Sequence, residues 1–251
     1  MAIKFLRPAA AAAAAVLVLG AGLVAGTGTT ADDAYAAGAP VTSPAASATS
    51  ATVTPARSVS PVGALFANGS HFCTASVVHS GAGDLVLTAA HCVKGGMSFA
   101  PAYHDGVAPL GMWTVTGVAV ADGWTSSADP DLDFAFLTVQ QPGNTASLES
   151  LTGANVLGTD RGFDHAITLT GYPNTTDSPV VCTGTTTRFE TYQLRVACPG
   201  FPDGTSGGPW VTGGAVVGVI GGYQLGGDTP DVSYSPYFDD DIAKLYASAA
   251  G

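Results

Sequence analysis

From about Val62 onward, short apolar runs of four to eight residues recur, separated by Gly, Pro, Asn or Asp. They include Val62-Gly-Ala-Leu-Phe66, Cys73-Thr-Ala-Ser-Val-Val78, Asp84-Leu-Val-Leu-Thr88, Trp113-Thr-Val-Thr-Gly-Val-Ala-Val120 and Phe134-Ala-Phe-Leu-Thr-Val139. Ala166-Ile-Thr-Leu-Thr170, Gln193-Leu-Arg-Val-Ala197 and Ala215-Val-Val-Gly-Val-Ile220 follow. Short β-branched and aromatic stretches with turn residues between them predict strands of an all-β sandwich or barrel, not a βαβ layout. A helical period is convincing only at the end, where Phe238, Ile242, Leu245 and Tyr246 share one face. Pro236 and the acidic run Asp239 to Asp241 are expected in its first turn, where negative charge complements the helix dipole. No internal repeat calls for a solenoid.

The first residues follow a different pattern. Lys4 and Arg7 precede an apolar run from Pro8 to about Val24, and Ala34-Tyr35-Ala36 offers a small-residue cleavage site. This arrangement predicts a secretory signal peptide over residues 1–36; a single membrane anchor is the alternative. Residues 37–57 carry Ala, Ser, Thr, Pro and Val without aromatic residues or periodicity. Such a stretch cannot bury enough surface to offset its ordering entropy, so it is expected to be a disordered linker or pro-segment. Residues 58–251 then form one domain. This organisation implies a secreted, extracellular protein with no membrane association after signal cleavage.

Charge narrows the partners. Against 19 Asp and Glu the chain has 8 Lys and Arg, a net charge of −11 at pH 7. Beyond Arg57 the only cations are Lys94, Arg161, Arg188, Arg195 and Lys244. That surface repels nucleic acid and anionic membranes. The four cysteines, Cys73, Cys92, Cys182 and Cys198, allow three pairings in an exported chain. Separations of 19 and 16 residues favour Cys73–Cys92 and Cys182–Cys198. No spacing supports a zinc site, so neither metal nor cofactor is expected.

The stretch Pro202-Asp-Gly-Thr-Ser-Gly-Gly-Pro-Trp210 carries the chemistry, with Gly204, Ser206 and Gly208 in a G-x-S-x-G pattern. In α/β-hydrolases the same pattern is followed by an acid and then a histidine. All five histidines here, His71, His79, His91, His104 and His165, precede Ser206, which excludes that order. The order His, Asp, Ser remains. Thr88-Ala-Ala-His91-Cys92 puts a histidine directly after a strand, and Asp131-Leu-Asp133-Phe-Ala-Phe-Leu137 puts an acid at the start of one. A serine nucleophile needs a base within reach and that base an orienting acid.

These three motifs, in this order, resemble those of the chymotrypsin-like (trypsin-like) serine protease family. Val62 to Phe66 and Cys73 to Val78 also resemble the opening strands of its bacterial secreted branch, the glutamyl endopeptidase type. The resemblance implies two six-stranded antiparallel β-barrels packed together with a C-terminal α-helix. It also implies His91 as general base, Asp133 as its partner and Ser206 as nucleophile, with the amides of Gly204 and Ser206 as oxyanion hole. Asp129 and Asp131 are expected to be solvated turn residues. Gly200, Asp203, Ile220, Gly221, Gly222 and Tyr223 are implied to bind substrate. Thr205 stands where activated members carry an acid that pairs with a new N terminus, and no Ile-Val-Gly-Gly start is present. The oxyanion turn is therefore expected to form without N-terminal insertion. Neither an acid at the pocket base near Gly200 nor a histidine at Ile220 supports a charged preference, so small or apolar side chains are expected before the scissile bond.

The function implied is a secreted serine endopeptidase acting on protein or peptide substrates as a monomer. A catalytically weak or inactive binding module on the same fold is the alternative.

Overall fold

A computed structural model describes residues 54–55 and 60–251. The proposed signal peptide and most of the proposed linker lie outside the described residues. In chain order the strands are β1 (Thr54–Pro55), β2 (Val62–Ala67), β3 (Ser70–Val78), β4 (Leu85–Thr88), β5 (Ser98–Pro101), β6 (Trp113–Val120), β7 (Ala135–Gln140) and β8 (Val156–Leu157). They continue with β9 (Ala166–Gly171), β10 (Val180–Thr185), β11 (Thr187–Glu190), β12 (Gln193–Ala197), β13 (Pro209–Thr212), β14 (Ala215–Val219) and β15 (Val232–Pro236). Among the described residues, three α-helices, α1 (Asp122–Ser127), α2 (Leu148–Thr152) and α3 (Asp240–Ala249), accompany the strands together with short 3-10 turns.

Alternation along β2 to β7 sends one set of side chains inward, and the six strands close as β2-β3-β4-β7-β6-β5. Closure leaves no free edge, and the inward residues Leu65, Ala75, Val77, Val86, Phe99, Trp113, Leu137 and Val139 fill the interior. The second half encloses its core with two sheets, β1-β10-β9-β13-β14-β8 and β11-β12-β15. Ile167, Leu169, Trp210 and Val217 from one meet Leu194 and Val196 from the other. The result is the double-barrel architecture. The second barrel differs in detail from the first, because β8 joins β14 in parallel and β1 adds to β10 from within the stretch expected as linker.

A third apolar cluster holds the halves together. Leu85, Leu87, Phe134 and Phe136 of the first barrel pack with Val216 and Val219 of the second, and with Phe238 and Ile242. The helix α3 thus seals the barrel junction, as the apolar period at the C terminus predicts. Its boundary differs from expectation. Pro236, which lacks an amide to donate, ends β15 opposite Gln193, and Asp239 caps the helix by accepting from Asp241 N–H at 2.9 Å. The two short helices α1 and α2 leave no mark in the apolar pattern, since five or six residues are too few for a period to show. Both disulfides form as the spacings suggest, Cys73–Cys92 in the first barrel and Cys182–Cys198 in the second.

Candidate active site

β4 ends at Thr88, and a single 3-10 turn, Ala90–Cys92, carries His91 to the barrel junction. The Cys73–Cys92 bridge ties the residue after His91 to β3. On the next strand of the barrel, Asp133 ends the 3-10 turn Pro130–Leu132 just before β7 and is fully buried. Its Oδ2 lies 2.7 Å from His91 Nδ1, and its Oδ1 accepts the backbone amide of His91 at 2.9 Å. Gly222 N–H donates to Oδ2 at 2.8 Å from the second barrel. Three donors on one carboxylate replace the water lost on burial. A carboxylate at Nδ1 also selects the tautomer whose Nε2 is free to accept a proton.

Ser206 sits in the turn between β12 and β13, and its side chain lines the same cleft as His91, a cavity of about 730 Å³. Two glycines make this turn possible. Gly204 has φ of +95°, and a Cβ there would lie 2.6 Å from Tyr172 O and against Asn174 N. Gly207, at φ +79°, is pressed onto the first barrel, where a Cβ would strike Thr74 O and Thr88 Oγ1. Among the described residues the amides of Gly204 and Ser206 meet no protein acceptor, whereas Thr205 N–H between them bonds to Pro202 O at 3.2 Å. Thr205 itself is buried; its Oγ1 donates to Pro202 O at 2.7 Å and its side chain packs on Gly171.

The remaining expected substrate-binding residues separate into two groups. Asp203 and Ile220 line the cleft with Phe201 and Leu225. Gly200 is exposed and lies off it, and Gly221, Gly222 and Tyr223 do not line it either. Gly221 N–H pairs with Tyr234 O and Gly222 N–H is spent on Asp133. Tyr223 opens a 3-10 turn, and its N–H bonds to Gln193 Oε1 at 3.1 Å rather than standing free on an extended strand. The strand breaks there because Gly222 adopts φ +77°, and Gln224 and Leu225 follow in the left-handed region.

Three participants were not legible in the sequence. Thr74, next to the bridged Cys73, reaches across the junction to the serine turn. Gln193 is buried, and its Nε2 donates to Pro130 O at 3.1 Å and Asp131 Oδ1 at 2.6 Å. Asp131 is therefore a partner of a buried amide, not a solvated turn residue, and Asp129 caps the turn by accepting from Asp131 N–H. Gly222 supplies the third donor to Asp133. No short-range sequence pattern marks any of these bonds, because each joins residues far apart in the chain.

The other histidines lie outside this arrangement. His79 pairs with Glu149 at 2.8 Å, His104 Nδ1 meets Ala102 O and His165 Nε2 meets Gly162 O. His71 packs against Phe66 and Tyr103. Cys73, Cys92 and His91 bring ligand-type atoms within 4.8 Å of one another, but both sulfurs are committed to the disulfide.

A double barrel with a buried Asp–His pair and a glycine-bounded serine turn on one cleft is the architecture of a peptidase. The chain belongs to the trypsin-like peptidase domain family, whose model matches residues 69–219. Among solved structures, the protease Anisep from Arthrobacter nicotinovorans is 26% identical with a TM-score of 0.70, covering 79% of this chain and 99% of that one. The thermostable serine protease AL20 from an extremophilic microorganism is also 26% identical, with a TM-score of 0.67 over 76% of this chain and 96% of its own. A Glu endopeptidase in complex with MPD shares the fold at 18% identity and a TM-score of 0.65, over 79% of this chain and 96% of that one. No curated protein matches the chain.

Proposed function

We propose that this chain is a secreted serine endopeptidase in which Ser206, His91 and Asp133 hydrolyse peptide bonds through an acyl-enzyme. The observation that carries the reading is the buried Asp133 carboxylate on His91 Nδ1, with His91 and Ser206 on one cleft. Ser206 Oγ attacks the scissile carbonyl as His91 Nε2 takes its proton. The oxyanion formed is received by the amides of Gly204 and Ser206, which are not otherwise engaged. Collapse expels the amine, which leaves with the proton held on His91. Water then attacks the acyl-enzyme, giving its proton to His91, which passes it to Ser206 Oγ as the ester bond breaks and the acid is released.

Residues 58–251 make up the protease domain in this reading, preceded by a signal peptide and a linker. The two disulfides accord with an extracellular location, and protein or peptide is the substrate. Phe201 and Ile220 line the cleft while belonging to the second barrel's core, which gives part of the cleft an apolar wall. Small or apolar side chains therefore precede the bond that is cut. A fluorophosphonate should label the wild type and fail to label Ser206→Ala. Absence of wild-type labelling would overturn the reading, and rapid cleavage after Arg or Glu in a mixed peptide library would overturn the preference.

A further inference from the structure

The proposed catalytic turn is gripped by one residue of the opposite barrel. Thr74 on β3 donates its backbone N–H to Ser206 O at 2.7 Å and its Oγ1 to Gly204 O at 3.0 Å. The same Oγ1 accepts Tyr172 N–H at 2.8 Å, so the hydroxyl proton is committed to Gly204. Thr74 O in turn accepts Thr88 Oγ1 at 2.8 Å, which anchors it to the strand leading to His91. Thr74 and Thr88 are both fully buried.

The consequence follows from peptide planarity. Gly204 O and Thr205 N belong to one plane. Thr74 holds its oxygen end and Pro202 O its nitrogen end, so the plane cannot rotate without losing both bonds. The preceding plane is held as well, because Asp203 O accepts Asn174 N–H at 2.9 Å. In a trans peptide this directs Gly204 N–H away from Asn174. Thr205, with no charge, bonds only within its own turn, through N–H and Oγ1 to Pro202 O and through its carbonyl to Gly208 N–H, and packs on Gly171. Among the described residues, every bond in this arrangement runs between side chains and backbone of the two barrels.

We infer that Thr74 is a positioning residue for catalysis: its hydroxyl sets the Gly204–Ser206 turn from the first barrel, in place of an ion pair to a new N terminus. This rests on the proposed role of Ser206, and the test separates the two. Thr74→Val keeps the branched shape and the backbone bond to Ser206 but removes the hydroxyl; Thr74→Ser restores it. The full chain is expressed and exported, and folded active sites are counted by fluorophosphonate titration. Then kcat and KM are measured on a peptide nitroanilide, with Ki for a peptidyl aldehyde and for the corresponding product acid.

A small displacement of a transition-state donor lowers kcat steeply, so Thr74→Val should lose about 10- to 100-fold in kcat per titrated site. Its KM should stay within about twofold, its aldehyde Ki should weaken in step with kcat and its product-acid Ki should not move. Thr74→Ser should retain kcat within about threefold on the same argument. If Thr74→Val fails to fold, Thr74→Ser must still keep the wild-type ratio of aldehyde to product-acid Ki. Loss of that ratio, or unchanged kcat in a folded Thr74→Val, overturns the inference while leaving the role of Ser206 intact. A wild type that takes no label overturns both.

Discussion

Asp133 grips His91 twice, accepting its backbone amide at 2.9 Å through Oδ1 and facing its ring Nδ1 at 2.7 Å through Oδ2. The imidazole is thereby fixed in both position and tautomer. Asp133→Asn would preserve the size of the side chain but can turn an N–H toward Nδ1, selecting the tautomer whose Nε2 already carries a proton. We expect kcat on a peptide substrate to fall by about 10⁴-fold with little change in KM. Steady-state kinetics against a titrated active-site concentration check this; a loss of less than tenfold would mean that His91 is not the base.

The Cys73–Cys92 bridge supports the same histidine from the other side. It closes a loop with a sequence separation of 19. Replacing both cysteines by alanine should cost about 3 kcal/mol by relaxing the unfolded-state constraint. For a domain of this size that corresponds to a fall in Tm on the order of 6–12 °C. Calorimetry of the double variant provides the comparison, and a Tm within about 2 °C of wild type would contradict it.

Gly207 should tolerate no side chain. Its φ of +79° strains any L-residue, and a Cβ would lie 3.0 Å from Ala89 N and press on Thr74 O, both backbone atoms that cannot move aside. Gly207→Ala should therefore destabilise the domain by roughly 3 kcal/mol or more. Urea unfolding of the variant measures it. A cost below about 1 kcal/mol would show that the turn can shift away from the first barrel.

Tyr103 gives the domain an alkaline limit. Burial first, and then its 2.8 Å hydrogen bond to Asp177, push the phenol up to about 12. The folded state thus favours the neutral phenol more than the unfolded chain does. Its contribution is fully present below the unfolded value of about 10 and is lost as pH rises through about 12. Between those values the stability of Tyr103→Phe should fall less steeply than that of the wild type. Denaturant midpoints measured across the interval would refute this if the two slopes coincide.

Much of the fold can be read from local pattern. Runs such as Trp113 to Val120 and Gln193 to Ala197 become β6 and β12 with the same limits. Inward alternation is a property of the residues themselves. The strands β10, β11, β13 and β15 were less visible, because Thr, Ser and Gly dilute their apolar period. At the site, order along the chain was sufficient to select His91, Asp133 and Ser206 as candidates, and loop length to select the disulfide pairs.

Only the tertiary structure could decide what surrounds those residues. Gly222 N–H on Asp133, Thr74 Oγ1 on Gly204 O and Gln193 between Asp131 and Tyr223 each span tens of residues along the chain. Local sequence determines strand, turn and residue type, since these depend on neighbours within a few positions. Which buried donor meets which buried acceptor depends on how the two barrels are packed, and Thr74, inconspicuous in its strand, acquires its role only when that packing brings it against the serine turn.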